Sequence, residues 1–208
     1  MSASSVREDG SAVSRADVAL HHLERLLNLL GGLTILGMML LSVAHILGRK
    51  LFDTPVSGYI DWMTQLVPAV AFLGLAYTQR LGGHIRMDIL VGRLAGRGLW
   101  VAEFVGTLLM MLIAGVLVFG TWDHAGRAIQ LGDSTTDIHL PTAPAKVLIS
   151  VMLALFCIRC LLQLWAYARA IGSGETEPAA APMIEDAATQ ARNEAETVSG
   201  LEDEKEAR

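Results

Sequence analysis

Charge is what this sequence lacks over most of its length. No formal charge falls between Leu26 and Ala44, or between Met63 and Gln79. From Leu99 to Trp122 only Glu103 is charged, and Arg159 lies inside a fourth apolar run near 145–168. About 20 apolar residues suffice to cross a hydrocarbon core of about 30 Å. Four such runs, in a chain of 208 residues that is 52% hydrophobic, exclude a soluble core and imply a polytopic membrane protein. Cysteine is scarce. Cys157 and Cys160 both lie in the fourth run. Two thiols are too few ligands for a structural zinc, so packing is the reading they support. Aromatic residues are also few, but their placement is informative. Trp62, Trp100, Trp122 and Trp165 each fall near the end of a run. An aromatic belt at headgroup level places tryptophan that way.

Functional motifs are missing too. The chain has no Gly-rich phosphate loop, nucleophile elbow or zinc-protease histidine pair. No catalytic residue is assigned, and the chain is expected not to be an enzyme. Histidine pairs on facing helices can hold haem. Here His21 and His22 precede the first run, His45 ends it, and His84, His124 and His139 lie in or beside connections. No cofactor or metal is expected. The stretch Met1–Asp17 lacks a short hydrophobic core followed by a small-residue cleavage site, so the first run is expected to stay as an anchor. The net charge of −5 belongs to the tail. From Gly172 onward there are ten acids and three bases, against eleven acids and thirteen bases before it. That balance gives no support to a nucleic-acid partner.

What remains is an all-α integral membrane protein. Residues 1–25 are expected to form a polar tail. Four spans follow, at about 26–47, 60–79, 99–122 and 145–168, and residues 169–208 form an acidic tail expected to be disordered. Pro68 removes one backbone donor and predicts a kink near residues 64–68. Basic residues alternate between connections. Arg7, Arg15 and Arg25 precede span one, Arg80, Arg86, Arg93 and Arg97 lie between spans two and three, and Arg169 follows span four. The other two connections hold only Arg49, Lys50, Arg127 and Lys146. Both termini and residues 80–98 are therefore expected on the cytoplasmic side. Within 85–98, Arg86, Arg93 and Arg97 fall on one helical stripe, opposite Met87, Val91 and Leu94. That pattern predicts a short interfacial helix facing membrane lipids.

Arg159 is the exception to an apolar interior. It lies about 15 Å along the helix from Arg169. A central arginine costs about 2.5 to 3.5 kcal/mol on insertion scales, and intramembrane charges usually have partners. Glu103 is the first candidate partner and an acid of another subunit the second. Asp61, in the first turn of span two, suits the positive helix end. Secondary transporters place their sites at the midplane on broken helices, often in inverted repeats. Four spans with one buried charge are few for a complete pathway, and an accessory subunit fits better.

Several residues together resemble the small membrane subunit, DctQ-type, of tripartite ATP-independent periplasmic (TRAP) transporters. They are the acid–Trp pair Asp61 and Trp62, the run from Phe72 to Tyr77, Arg80, and Gly83 to Asp88 with its His84, Arg86 and Asp88. The Leu140–Pro141 step before span four also fits. The resemblance covers roughly residues 25–168, and the acidic tail lies outside it. The acid at the mouth of span two is usually glutamate in that family. Here it is Asp61, which keeps the charge and shortens the reach.

The resemblance implies a multi-pass protein of the bacterial inner membrane. Its partners would be a large permease subunit, which carries substrate and sodium, and a periplasmic solute-binding protein. The small subunit would act as a scaffold for symport of a dicarboxylate or other organic acid, without binding substrate. Asp61, Trp62, Gly74, Arg80, His84, Arg86 and Asp88 are its motif and subunit-interface candidates. Two other classes stay open. A haem absorbance band would mark a membrane anchor of a redox enzyme. Purification as a homo-oligomer without a larger partner would mark a self-assembling structural membrane protein.

The arginine pattern makes a topological prediction. In a background lacking Cys157 and Cys160, a membrane-impermeant thiol reagent should label a single cysteine at position 55 or 135 in sealed cells. It should miss one at position 83 or 175. Labelling at 83 would reverse the orientation.

Overall fold

The computed structural model describes residues 12–80 and 97–173. Its elements are α1 (Ala12–Phe52), α2 (Tyr59–Leu73), α3 (Leu75–Arg80), α4 (Arg97–Leu131) and α5 (Ala143–Ser173). α2 and α3 together form one crossing, so four helical segments are long and apolar enough to span a membrane, as expected. A single isolated bridge, Ser134 to Pro141, closes the turn between α4 and α5. His84, Arg86 and Asp88, nearly all of the expected interfacial helix and the acidic tail from residue 174 lie outside the described residues.

α5 is the central helix. α4 packs along it, and α1, α2 and α3 pack against it as well. Ala114 of α4 meets Phe156 and Cys160 in one core cluster, with Cys157 at its edge. Trp100 meets Ala166, Tyr167 and Ala170 in another. Trp100 thereby leaves the aromatic belt expected for it. It is buried, and its ring stacks on Tyr167 with centroids 5.9 Å apart. Trp62, Trp122 and Trp165 face outward.

α1 is longer than a span requires. Its 41 residues extend about 61 Å, twice the hydrocarbon thickness. It begins at Ala12, inside the stretch expected to be a polar tail. Residues 12–25 contain neither Gly nor Pro, so nothing local breaks a helix there. The face they bury also continues that of the span. Asp17, Glu24 and Gly31 are buried, and Met38 and His45 are half-buried, at intervals of seven. A repeat of seven is the narrow seam by which one helix follows another. The rest of α1 exposes apolar side chains, among them Leu29, Leu33, Leu36 and Leu40.

The second crossing is interrupted after Leu73. α2 runs through Pro68 and ends at Leu73, and Gly74 separates it from α3. One missing donor is tolerated here, while the glycine lets α1 come close. A Cβ on Gly74 would stand 3.4 Å from Asn28 Oδ1, and one on Gly31 would stand 3.5 Å from Leu73 Cβ. Gly74, expected as an interface candidate, thus serves a contact within the chain.

At the other end of this crossing Gly58 has φ +70°, and a Cβ there would fall 2.6 Å from a side-chain carbon of Ile138. Gly132 has φ +67° with open space around it. Gly132→Ala should therefore cost only the left-handed backbone term, about 1–2 kcal/mol. Gly58→Ala should cost a further ~1–3 kcal/mol from overpacking. Thermal unfolding of both variants in mild detergent tests this. Equal midpoints would show that the Ile138 contact carries no weight.

Candidate functional site

Two polar clusters sit at the two ends of the second crossing. Asp61 and Arg80 are 19 residues apart, about 28 Å along the helix. That separation is close to the thickness of a hydrocarbon core.

At the first end, Asp61 Oδ2 accepts three hydrogen bonds. They come from Thr135 Oγ1 at 2.7 Å, Ile138 N at 2.7 Å and Asp137 N at 3.1 Å. The amide of Gly58 donates to Asp137 Oδ2 at 2.9 Å. A helix start leaves such amides without intrahelical partners, and here the α4–α5 connection supplies the acceptor. Gln65 Nε2 donates to Pro141 O at 3.2 Å. Within the connection, Thr135 N donates to Leu140 O and Leu140 N to Thr135 Oγ1, both at 2.9 Å. Lys146 Nζ stands 2.9 Å from Asp133 Oδ2. Asp61 is thus more than a helix-end charge: it stitches the 133–142 connection over the mouth of α2. Its neighbour Trp62 points outward. On α1, His45 stacks on Tyr59 with centroids 4.2 Å apart, and the Tyr59 hydroxyl lies 3.1 Å from Ser42 Oγ.

At the other end, Asp17 stands between two guanidinium groups. Arg80 donates Nη2 to Asp17 Oδ2 at 2.8 Å and Nε to Oδ1 at 3.4 Å. Arg159 Nη1 donates to Asp17 Oδ1 at 2.5 Å. All three side chains are at most 3% exposed. Glu24 Oε1 lies 3.9 Å from Arg159 Nε. One helical turn beyond Arg159, Gln163 faces Gln79. Gln79 Nε2 donates to Gln163 Oε1 at 2.7 Å, and Gln163 Nε2 donates to the Gln79 carbonyl at 3.1 Å. His21 stacks on Tyr77, which ties α1 to α3 again.

The expected partner of Arg159 is corrected here. Its acids come from α1, not from Glu103 on α4. Glu103 is buried and accepts from the Tyr167 hydroxyl at 3.5 Å. Of the sequence candidates, the structure joins Arg80 and Arg159 in one cluster and sets Asp61 in the other. Asp17, Glu24, Gln79, Gln163, Thr135 and Asp137 were not anticipated. The signal for Asp17 and Glu24 was present: stepping back by seven from Gly31 reaches both.

The family described as "Tripartite ATP-independent periplasmic transporters, DctQ component" matches residues 38–170. The chain belongs to this family. The resemblance seen in the motifs is therefore a true membership, and the chain is a component of a tripartite transport system rather than a member of an enzyme family. No individual curated protein matches the chain. Arg80 and Arg159 lie inside the DctQ match, whereas Asp17 and Glu24 precede it. The arm that neutralises the two arginines is thus outside the portion of the chain that the family describes.

A buried pair that loses one partner leaves the other charge uncompensated, at a cost of about 3–5 kcal/mol. Asp17→Asn should destabilise the protein by that order. The exposed pair Arg127–Asp123, 3.5 Å apart, is the control. Asp123→Asn should cost less than about 1 kcal/mol. Unfolding midpoints in mild detergent distinguish the two. If Asp17→Asn is as mild as Asp123→Asn, the arm does not hold the bundle.

Proposed function

We propose that this chain is the small, scaffold-type permease subunit of a sodium-coupled TRAP importer in the bacterial inner membrane. It supports the large membrane subunit and does not itself bind substrate. The observation that supports the reading is that its two buried arginines find a shared acid within the chain. Arg80 and Arg159 share Asp17 inside the chain. A coupled carrier needs polar groups free to meet ions and solute near the midplane. Meanwhile α1 and α4 present long apolar faces outward, including Leu29, Leu33, Leu36 and Leu40 on α1 and Val105, Leu109 and Leu112 on α4. Such faces suit lipid and a larger membrane partner. The transported solute, a dicarboxylate or another organic acid, is then selected by the other components.

Reconstitution tests this reading. Uptake into vesicles should require this chain, the large subunit, the periplasmic binding protein and an inward sodium gradient. Uptake by this chain alone would overturn the scaffold role. So would full uptake by the large subunit and binding protein without it.

A further inference from the structure

α4 and α5 pack closely through Ala114, Phe156 and Cys160. Towards the Asp61 end they leave a surface groove of about 420 Å³. Its lining is mostly apolar, with Val116, Leu117 and Gly120 of α4 exposed and Ile149 of α5 half-buried. Gly120 adds no side chain to this lining, and nothing lies within 4 Å of the place a Cβ would take. Thr121 also lines it, but its hydroxyl turns back to the Leu117 carbonyl at 2.8 Å and makes no polar demand on an occupant. The polar groups gather at one rim, where His124 and Lys146 stand. From Val116 to His124 the groove follows eight residues of α4, about 12 Å. Trp122 is exposed at the level of that rim. Tryptophan favours the headgroup region, so the rim lies at headgroup depth and the groove descends into hydrocarbon.

We propose that this groove holds one acyl chain of an anionic phospholipid, with the phosphate at Lys146 and His124. The occupant must be apolar over one stretch and anionic at one end, in register with the membrane. The cation at one end of the apolar stretch selects an occupant with an anionic end. The Lys146 ammonium has three donors. Asp133 takes one at 2.9 Å, which leaves two for a phosphate. Asp123, beside His124 in sequence, is engaged by Arg127 at 3.5 Å. His124 adds a ring nitrogen on the same rim.

The test uses the full chain in nanodiscs or vesicles that contain phosphatidylglycerol and phosphatidylcholine with the same acyl chains. Native mass spectrometry then counts the lipids retained. The wild type should keep phosphatidylglycerol in preference, and inorganic phosphate should not displace it. Gly120→Leu fills the groove without a clash and should lower retention of both lipids roughly tenfold. Gly106→Leu, at an equally open glycine of the same helix, should leave retention unchanged. Lys146→Gln should weaken phosphatidylglycerol alone, by about tenfold for one charge-assisted hydrogen bond, and Lys146→Arg should restore it. Asp133→Asn frees the ammonium and should strengthen retention, which keeps the test valid if Lys146→Gln unfolds. Equal retention of phosphatidylglycerol by the wild type and Gly120→Leu would overturn the proposal. So would a wild type that does not distinguish the two lipids, or competition by free phosphate. Loss of a larger membrane subunit from Gly120→Leu, with lipid unchanged, would assign the groove to a protein partner instead.

Discussion

One carboxylate shared by two arginines links three of the described helices. Asp17 comes from α1, Arg80 from the end of α3 and Arg159 from the interior of α5. Neither arginine could be buried alone in apolar surroundings, because an uncompensated charge there is costly. The shared acid makes both placements possible at once. It also explains why α1 is so long. The helix must continue past its own apolar span for its carboxylates to reach the arginines.

Contacts of this kind carry unusual weight in a membrane. Helices surrounded by lipid gain little from burying apolar side chains against one another, since the lipid is equally apolar. Position then depends on polar contacts and on close backbone approach. This chain uses both along one crossing. Asp61 ties its first end to the α4–α5 connection, and Arg80 ties its last end to α1 and, through Asp17, to α5. Between them, Gly31 and Gly74 let α1 approach closely. A crossing fixed at both ends and pressed in the middle suits the scaffold role proposed above.

The two clusters also divide the labour of the surface. With the charges closed inward, α1 and α4 turn apolar faces outward over most of their length. The α4–α5 groove indents such a surface and carries a cation at its rim. A flat apolar face accepts any neighbour of similar polarity. An indentation with a charge at one end selects by shape and sign.

The sequence by itself determined the four crossings, the lack of a catalytic motif and the family. Crossing a bilayer is a constraint on runs of residues, and runs are visible without any tertiary information. The acid–Trp pair at Asp61 and Trp62 was legible for the same local reason. The interruption at Gly74 and the burial of Trp100 were not legible, because propensity marks what is permitted while packing decides what occurs. α1 made its close approach at Gly74, and Tyr167 drew Trp100 inward. Only the tertiary structure chose the partner of Arg159. Glu103 was the nearest acid by estimated depth, but depth along separate helices says nothing about which faces meet. The seam of α1, repeating every seven residues back to Glu24 and Asp17, set those acids beside α3 and α5. A side chain's neighbour across a bundle depends on helix rotation and tilt, and those are properties of the assembled fold.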